Sequence, residues 1–371
     1  MSVTLDDIRR FAAARTLWAP LTLKRALEKL EFVQADPIRA PARAQDLTLR
    51  HRAKAYRAGD LERRFAALGI EEDFFVNYGF VSRRVHLLMH PRADPSGWTR
   101  TRRSRAALVL EFIRARGEVH PREVDEHFAH GTVTNYWGGS SNATTHLLEH
   151  MHYRGLLRVT RRDKGIRIYS AREVGDADVE ALSPRERVDA LADVVVRVYA
   201  PLPGQGLSFL INRLRYAVPQ WRRELKAALV RARARLAHVR VGTVDWYWPA
   251  DEDPRNAAPD SRVRLLAPFD PIVWDRGRFE LLWGWAYRFE AYTPAARRKL
   301  GYYALPLLWQ DRVVGWGNVA VDNGKLRADL GYVEGRPPRD PSYGAALDDE
   351  LARLEAFLAR GSDPVKSLNM T

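Results

Sequence analysis

Hydrophobic residues recur at helical spacing from the start of the chain. Thr4 followed by Asp7 makes a capping box, and Leu5, Ile8, Phe11 and Ala12 predict a helix to about Ala14. Pro20 suits a first helical turn, and Leu23, Ala26, Leu27 and Leu30 continue the period in a second short helix. The period then breaks over Phe32 to Ile38. Pro37 pushes Asp36 toward extended backbone, which places Gln34 and Asp36 on one face. Asp60 is positioned to cap a further helix over Leu61, Phe65 and Leu68, ended by Gly69.

The next stretch repeats a helical plan. Ser104 to Arg116 reads as a helix around Leu108 and Phe112, and Pro121 opens a short one to about Phe128. After a loop rich in Gly, Ser and Asn, Ser141 caps a helix carrying Ala143, Leu147, Leu148 and Met151 that ends at Gly155. Leu156 to Thr160 and Ile166 to Tyr169, joined by a charged turn, read as a β-hairpin. Three helices and a hairpin make a winged helix, a helix-turn-helix variant. A third helical block runs from Pro184 to about Arg240, with Leu225, Leu229, Ala232, Leu236 and Val239 as its apolar stripe, and predicts a third such module. Past the linker Pro249 to Pro259 the texture changes to short alternations such as Tyr287 to Tyr292, and Asp322-Asn323-Gly324 is a strong hairpin turn. Leu347, Leu351, Leu354 and Leu358 mark a closing helix. The expected fold class is α+β: tandem winged-helix domains, then a small C-terminal β-barrel and a closing helix. The expected modules are 1–99, 100–183, 184–256 and 257–371.

Sixty Lys and Arg against 46 Asp and Glu give a formal charge of +14, which points to a polyanionic partner. An Arg-for-Lys surface bias would raise the charge without a partner, so its distribution matters. From Trp221 to Arg240 seven cations (Arg222, Arg223, Lys226, Arg231, Arg233, Arg235 and Arg240) stand against the single acid Glu224. The opposite face is mainly Leu, Val and Ala, so nucleic acid fits better than a membrane surface. With no cysteine, disulfides, thiolate metal sites and cysteine nucleophiles are excluded. No apolar run approaches the ~20 residues of a membrane span, and the opening residues lack the pattern of an export signal. A cytoplasmic monomer without cofactors is the expectation.

Three separated stretches carry a resemblance. Phe32 to Arg50, FVQADPIRAPARAQDLTLR, is similar to the segment that holds a Gln-x-Asp motif in YcaQ/AlkZ-like winged-helix DNA glycosylases, in their YcaQ-like branch. Leu265 to Arg276, LLAPFDPIVWDR, and Tyr292 to Pro306, YTPAARRKLGYYALP, resemble the barrel of that family. Where family members carry an aromatic and His-containing run, this sequence reads Phe75-Val76-Asn77-Tyr78-Gly79-Phe80. The resemblance implies three winged helices plus a barrel on double-stranded DNA. It also implies excision of alkylated bases and unhooking of interstrand crosslinks, with Gln34 and Asp36 as the catalytic pair.

The chemistry of those two residues suits such a role. Breaking a C1′–N bond passes through an oxocarbenium-like state, which the Asp36 carboxylate stabilises. Gln34 holds a water while Asp36 takes its proton. A purine alkylated at N7 or N3 is already cationic and leaves without a general acid, so a monofunctional, metal-independent hydrolysis is expected. The bland alternative is that Gln34 and Asp36 merely cap the turn before Pro37. At the level of the whole chain, the alternative is a non-enzymatic winged-helix DNA-binding protein.

Arg39 and Arg43 follow the motif, and Arg161, Arg162, Lys164 and Arg167 sit in or beside the wing, where they are expected to meet phosphates. Arg297, Arg298 and Lys299, followed by Tyr302 and Tyr303, combine charge with rings that stack on bases, against ordinary barrel packing for the tyrosines. His146-Leu147-Leu148-Glu149-His150 matches an H-x-x-E-H metal pattern, yet it lies on the third helix of the second module and no third ligand is evident. A zinc hydrolase is therefore a minor alternative. The isolated Gly204-x-Gly206 lacks the rest of a nucleotide fingerprint.

Overall fold

The computed structural model describes residues 3–92, 97–129, 131–134, 140–172, 181–258 and 260–359. They fall into two units, each assembled from separate stretches of chain. None of the described helices is long and apolar enough to cross a membrane.

The first unit takes residues 1–63, 195–208 and 235–371. Its opening helix, Leu5–Thr16, has the expected cap: the Thr4 hydroxyl accepts from the Asp7 amide at 3.2 Å, and the Asp7 carboxylate accepts from the Thr4 amide at 2.9 Å. The second helix, Leu23–Leu30, starts from Thr22, whose side chain accepts from the Arg25 amide. Pro20 therefore precedes this helix and lies outside its first turn. The strand Phe32–Gln34 and the short helix Ala44–Leu49 follow.

The main sheet of this unit is antiparallel and four-stranded: Val263–Leu265, Leu305–Trp309, Arg312–Asp322 and Lys325–Tyr332, in that order. A bulge at Leu307/Leu308 bends it, so it forms a half-barrel. Asn323 and Gly324, at φ 50° and 76°, make the tight turn that the Asp-Asn-Gly sequence called for. The closing helix runs from Pro341 to Leu358 and buries Tyr343, Glu350, Leu354 and Phe357. Glu350 accepts the Leu265 amide at 2.8 Å, which fixes this helix on the edge strand. A core of Leu266, Ile272, Val273, Phe279, Tyr287 and Leu308 extends to Ala13 and Leu17.

One expected strand is absent. Tyr287 to Tyr292 forms a loop, although its side chains alternate. The Tyr287 hydroxyl donates to the Ala304 carbonyl at 2.7 Å, and the Glu290 carboxylate accepts the Lys299 and Leu300 amides, each at 2.8 Å. Side chains thus take the hydrogen-bonding role that a neighbouring strand would have filled.

The second unit takes residues 64–194 and 209–234. Its hairpin, Ile70–Phe74 with Tyr78–Ser82, leads into the helix Arg83–Met89. Three helices then pack together: Arg100–Arg116, Pro121–Phe128 and Ala143–Arg154. The third is capped by Asn142, one residue after the expected Ser141. The hairpin Leu157–Asp163 with Ile166–Ala171 follows, and Glu118–Val119 adds to its outer edge. Ala106, Val109, Ile113, Val124, Leu148, Met151, Leu157 and Val159 form one core beneath it. Much of the expected Gly, Ser and Asn loop lies outside the described residues; Thr132–Thr134 and Ser140–Asn142, on either side of that gap, pair as strands.

The third helical block ends earlier than its apolar period suggested. The helix Leu225–Arg235 gives way to the hairpin Ala237–Val241 with Val244–Trp248, so Val239 lies on a strand. Gly242, at φ 59°, makes its turn.

Candidate active site

Gln34 and Asp36 are both buried, and Ala35 between them is half-buried, so the alternation expected from Pro37 is present. Gln34 ends its strand with the side-chain amide held from one side. The indole Nε1–H of Trp274 donates to Gln34 Oε1 at 2.6 Å. The amide nitrogen of Gln34 takes no partner among the described residues.

Asp36 is held differently. Its carboxylate Oδ1 accepts the Ile38 amide at 2.9 Å, which closes the turn through Pro37, while Oδ2 has no partner among the described residues. Its own amide donates to Gln45 Oε1 at 3.3 Å, tying the motif to the first turn of the helix Ala44–Leu49. Burial pushes the Asp36 carboxyl up from the ordinary value, partly offset by the Ile38 hydrogen bond. No second carboxyl group figures in that shift. In its ionised form this partly desolvated carboxylate can accept a proton from one small polar molecule, and the Gln34 amide N–H, on the same face of the chain, can orient it.

Trp274 is itself well positioned. The Asp270 carbonyl accepts the Val273 and Trp274 amides, each at 2.8 Å, and the Trp274 ring lies against Tyr199 with centroids 5.5 Å apart. Tyr303 and Tyr292 border the site. Burial raises both phenols, and the charge of Asp36 raises them further. The Tyr303 hydroxyl is buried and unbonded among the described residues, whereas Tyr292 is 79% exposed. No motif or period in the sequence singles out Trp274, Gln45 or Tyr292. Trp274 does fall in the LLAPFDPIVWDR stretch, and Tyr292 opens the third matching stretch.

The expected DNA contacts fare unevenly. Arg39 is exposed, but Arg43 is ion-paired with Glu62. Arg297 and Lys299 are exposed, and Arg298 stacks on Tyr302 at 5.0 Å; Tyr302 is 44% exposed. Tyr303, only 3% exposed and edge-on to Phe289, is a packing residue and cannot offer a surface ring to a base. In the second unit, Arg161 forms an exposed pair with Glu118, and Lys164 is exposed at the hairpin tip. Arg162, however, makes a bidentate pair with buried Glu72 at 2.7 and 2.6 Å. Arg167 pairs with Glu149 and stacks on Tyr78 at 4.6 Å. Both guanidinium groups already have internal partners, which a phosphate would have to share or replace.

Asp73, His86 and His90 present ligand atoms within 4.8 Å of one another, a geometry compatible with a metal ion. Their present bonds account for them in another way. His90 Nε2 lies 2.5 Å from Asp73 Oδ2, and Arg92 donates to Asp73 Oδ1 at 2.7 Å. Burial, then the neighbouring Arg92, lowers His90 to about 4. Burial alone would raise Asp73, but Arg92 and His90 hold it well below the carboxylate range. A dication here would compete with an arginine already on the same carboxylate. In the H-x-x-E-H segment the His146 and His150 rings are 4.5 Å apart, and Glu149 is engaged by Arg167 at 3.3 Å. That glutamate anchors the hairpin strand Ile166–Ala171.

Two comparisons bear on these units. A family model described as "DNA glycosylase AlkZ-like" matches residues 27–357. Among solved structures, the Streptomyces sahachiroi DNA glycosylase AlkZ matches with a TM-score of 0.63 at 14% identity, over 97% of this chain and 98% of that one. At that identity the structural likeness speaks to the fold.

Proposed function

The chain belongs to the AlkZ-like DNA glycosylase family, and on that premise we propose that it hydrolyses the N-glycosidic bond of cationic alkylated purines, with Asp36 and Gln34 as its catalytic pair. The observation that carries this reading is the state of the pair. Asp36 has one oxygen tied to Ile38, and neither its other oxygen nor the amide nitrogen of Gln34, two residues earlier on the same face, has a partner among the described residues.

In the proposed reaction a water held between them attacks C1′ of the damaged nucleotide. Its oxygen forms the new C1′–O bond, the C1′–N bond breaks with its electron pair leaving on the base, and the water proton passes to Asp36. The Asp36 charge also opposes the positive charge that develops on the sugar. Ordinary glycoside hydrolysis uses a second carboxyl group to protonate the leaving group. None figures beside Asp36 among the described residues, which favours bases that leave unaided: N7-alkylguanine, N3-alkyladenine and crosslinks through N7. The same chemistry needs no metal and forms no covalent sugar intermediate.

The three helices and hairpin of residues 100–171, and the shorter helix and hairpin ending at Trp248, support reading them as winged helices on double-stranded DNA, with the protein acting as a monomer. The test is single-turnover base release from duplexes carrying uracil, N7-methylguanine or an N7 crosslink, with chelator present. Release of N7-methylguanine but not uracil is expected. Efficient uracil release would sink the leaving-group argument, and DNA binding with no release from any duplex would leave a non-enzymatic DNA-binding protein.

A further inference from the structure

We propose that Trp274 is a positioning residue that fixes Gln34 as a hydrogen-bond donor to the attacking water. The inference rests on the base-release reading of Gln34 and Asp36 and assigns the direction of each hydrogen bond within it. An indole N–H donates and never accepts, so the group it meets at 2.6 Å must be the amide oxygen of Gln34. This settles which end of the amide is left to act. The –NH2 end has no partner among the described residues, and Gln34 presents protons there.

A water placed between an amide N–H and an ionised carboxylate has one arrangement that uses both. Its oxygen accepts from Gln34, one of its protons points to Asp36 Oδ2, and a lone pair is left for C1′. If the amide were turned over, its oxygen would compete with Asp36 for the water's protons and the half-buried indole N–H would lose its acceptor. The indole sets the tautomer-like choice that a free glutamine side chain would leave open. Trp274 is held for this role by the two amide bonds to the Asp270 carbonyl and by the Tyr199 ring.

Three variants of the full chain test the assignment. Trp274→Phe keeps an aromatic ring but removes the donor, Gln34→Ala removes the amide, and Gln34→Glu keeps an acceptor for Trp274 while removing the N–H donors. Trp274→Phe is expected to slow single-turnover release of N7-methylguanine by about tenfold or more, because the amide is no longer oriented, with the Kd for the same duplex unchanged. Gln34→Glu should be as slow as Gln34→Ala, and adding Trp274→Phe to Gln34→Ala should cost little more. Independently of activity, the Trp274 indole proton, assigned by its disappearance in Trp274→Phe, should exchange slowly with solvent and become fast in Gln34→Ala. Wild-type rates in Trp274→Phe or Gln34→Glu, or a fast-exchanging indole proton in the unaltered protein, would overturn the proposal. A protected indole proton in a protein that releases no base from any duplex supports the amide orientation and defeats the base-release reading alone.

Discussion

Arg52 donates two hydrogen bonds to the carboxylate of Asp270, at 2.7 and 2.8 Å, and neither side chain has any solvent exposure. The pair joins the Gln-x-Asp segment to the turn that presents Trp274, because the Asp270 carbonyl holds the Trp274 amide and Arg52 also donates to the Thr48 and Thr16 carbonyls. Removing one partner leaves an uncompensated buried charge. Asp270→Ala or Arg52→Ala should therefore cost about 3–5 kcal/mol, read as a lower denaturant midpoint. Restoration of the wild-type midpoint in an Arg52→Met/Asp270→Leu double variant would fit a buried pair whose cost lies in breaking it, whereas single variants of wild-type stability would contradict it.

Asp36→Asn separates function from structure. Asparagine keeps an oxygen for the Ile38 amide and removes a charge that burial disfavours. Base release should fall roughly a hundredfold or more, as expected for removal of an electrostatic stabiliser. Thermal stability should stay level or rise, and the DNA Kd should change by no more than a few-fold. A clear drop in Tm together with weakened binding would instead show that the carboxylate serves the turn.

The same burial fixes the direction of the pH dependence. In the proposed reaction Asp36 acts in its ionised form, so base release should fall as pH drops through its folded pKa, above the ordinary value of about 3.9. For stability the sign is opposite. The folded state holds this proton more tightly than the unfolded chain does, so the contribution is present below about pH 3.9 and is lost as pH rises through the raised folded pKa. Asp36→Asn should remove that contribution. An acid limb at or below about 3.9 in the wild-type rate profile would contradict the desolvated setting of the carboxylate.

The cations of the hairpin formed by Leu157–Asp163 and Ile166–Ala171 divide into two classes. Among the described residues Arg161 has only an exposed partner, worth little, and Lys164 stands exposed at the tip. Replacing both with Gln should reduce the log–log salt slope of DNA binding by up to about 0.9 for each phosphate that the variant no longer neutralises. Arg162→Gln strips buried Glu72 of its bidentate partner and should lower stability by more than either. An unchanged salt slope in the Arg161/Lys164 double variant would remove the hairpin tip from the interface.

How much of this could be read along the chain depends on the range of the interaction. Pro37 acts on its immediate neighbour, so the shared face of Gln34 and Asp36 was legible. The Asp-Asn-Gly turn and the closing helix were legible for the same reason. Trp274 reaches Gln34 across 240 positions, and within its own stretch it looks like any residue after an Asp-Pro turn. Arg162 and Arg167 read as phosphate ligands because Arg161 to Arg167 holds four cations against the one acid Asp163. Their partners include Glu72, which is buried in a strand of unusually acidic inward side chains, Glu71-Glu72-Asp73. Tyr287 to Tyr292 alternates as a strand would, but the bonds that hold it run through the side chains of Tyr287 and Glu290, which no periodicity reveals.

The assembly of each unit from separate stretches also sets an order of events during synthesis. The segment carrying Gln34, Asp36 and Arg52 leaves the ribosome before its partners do: Asp270 follows Arg52 by 218 positions and Trp274 follows Gln34 by 240. At about 5–20 residues per second that is a wait on the order of ten to fifty seconds. Meanwhile the second unit, whose last residue is Ala234, is complete in sequence before the half-barrel exists. The Gln-x-Asp segment is thus made well before the partners that orient it.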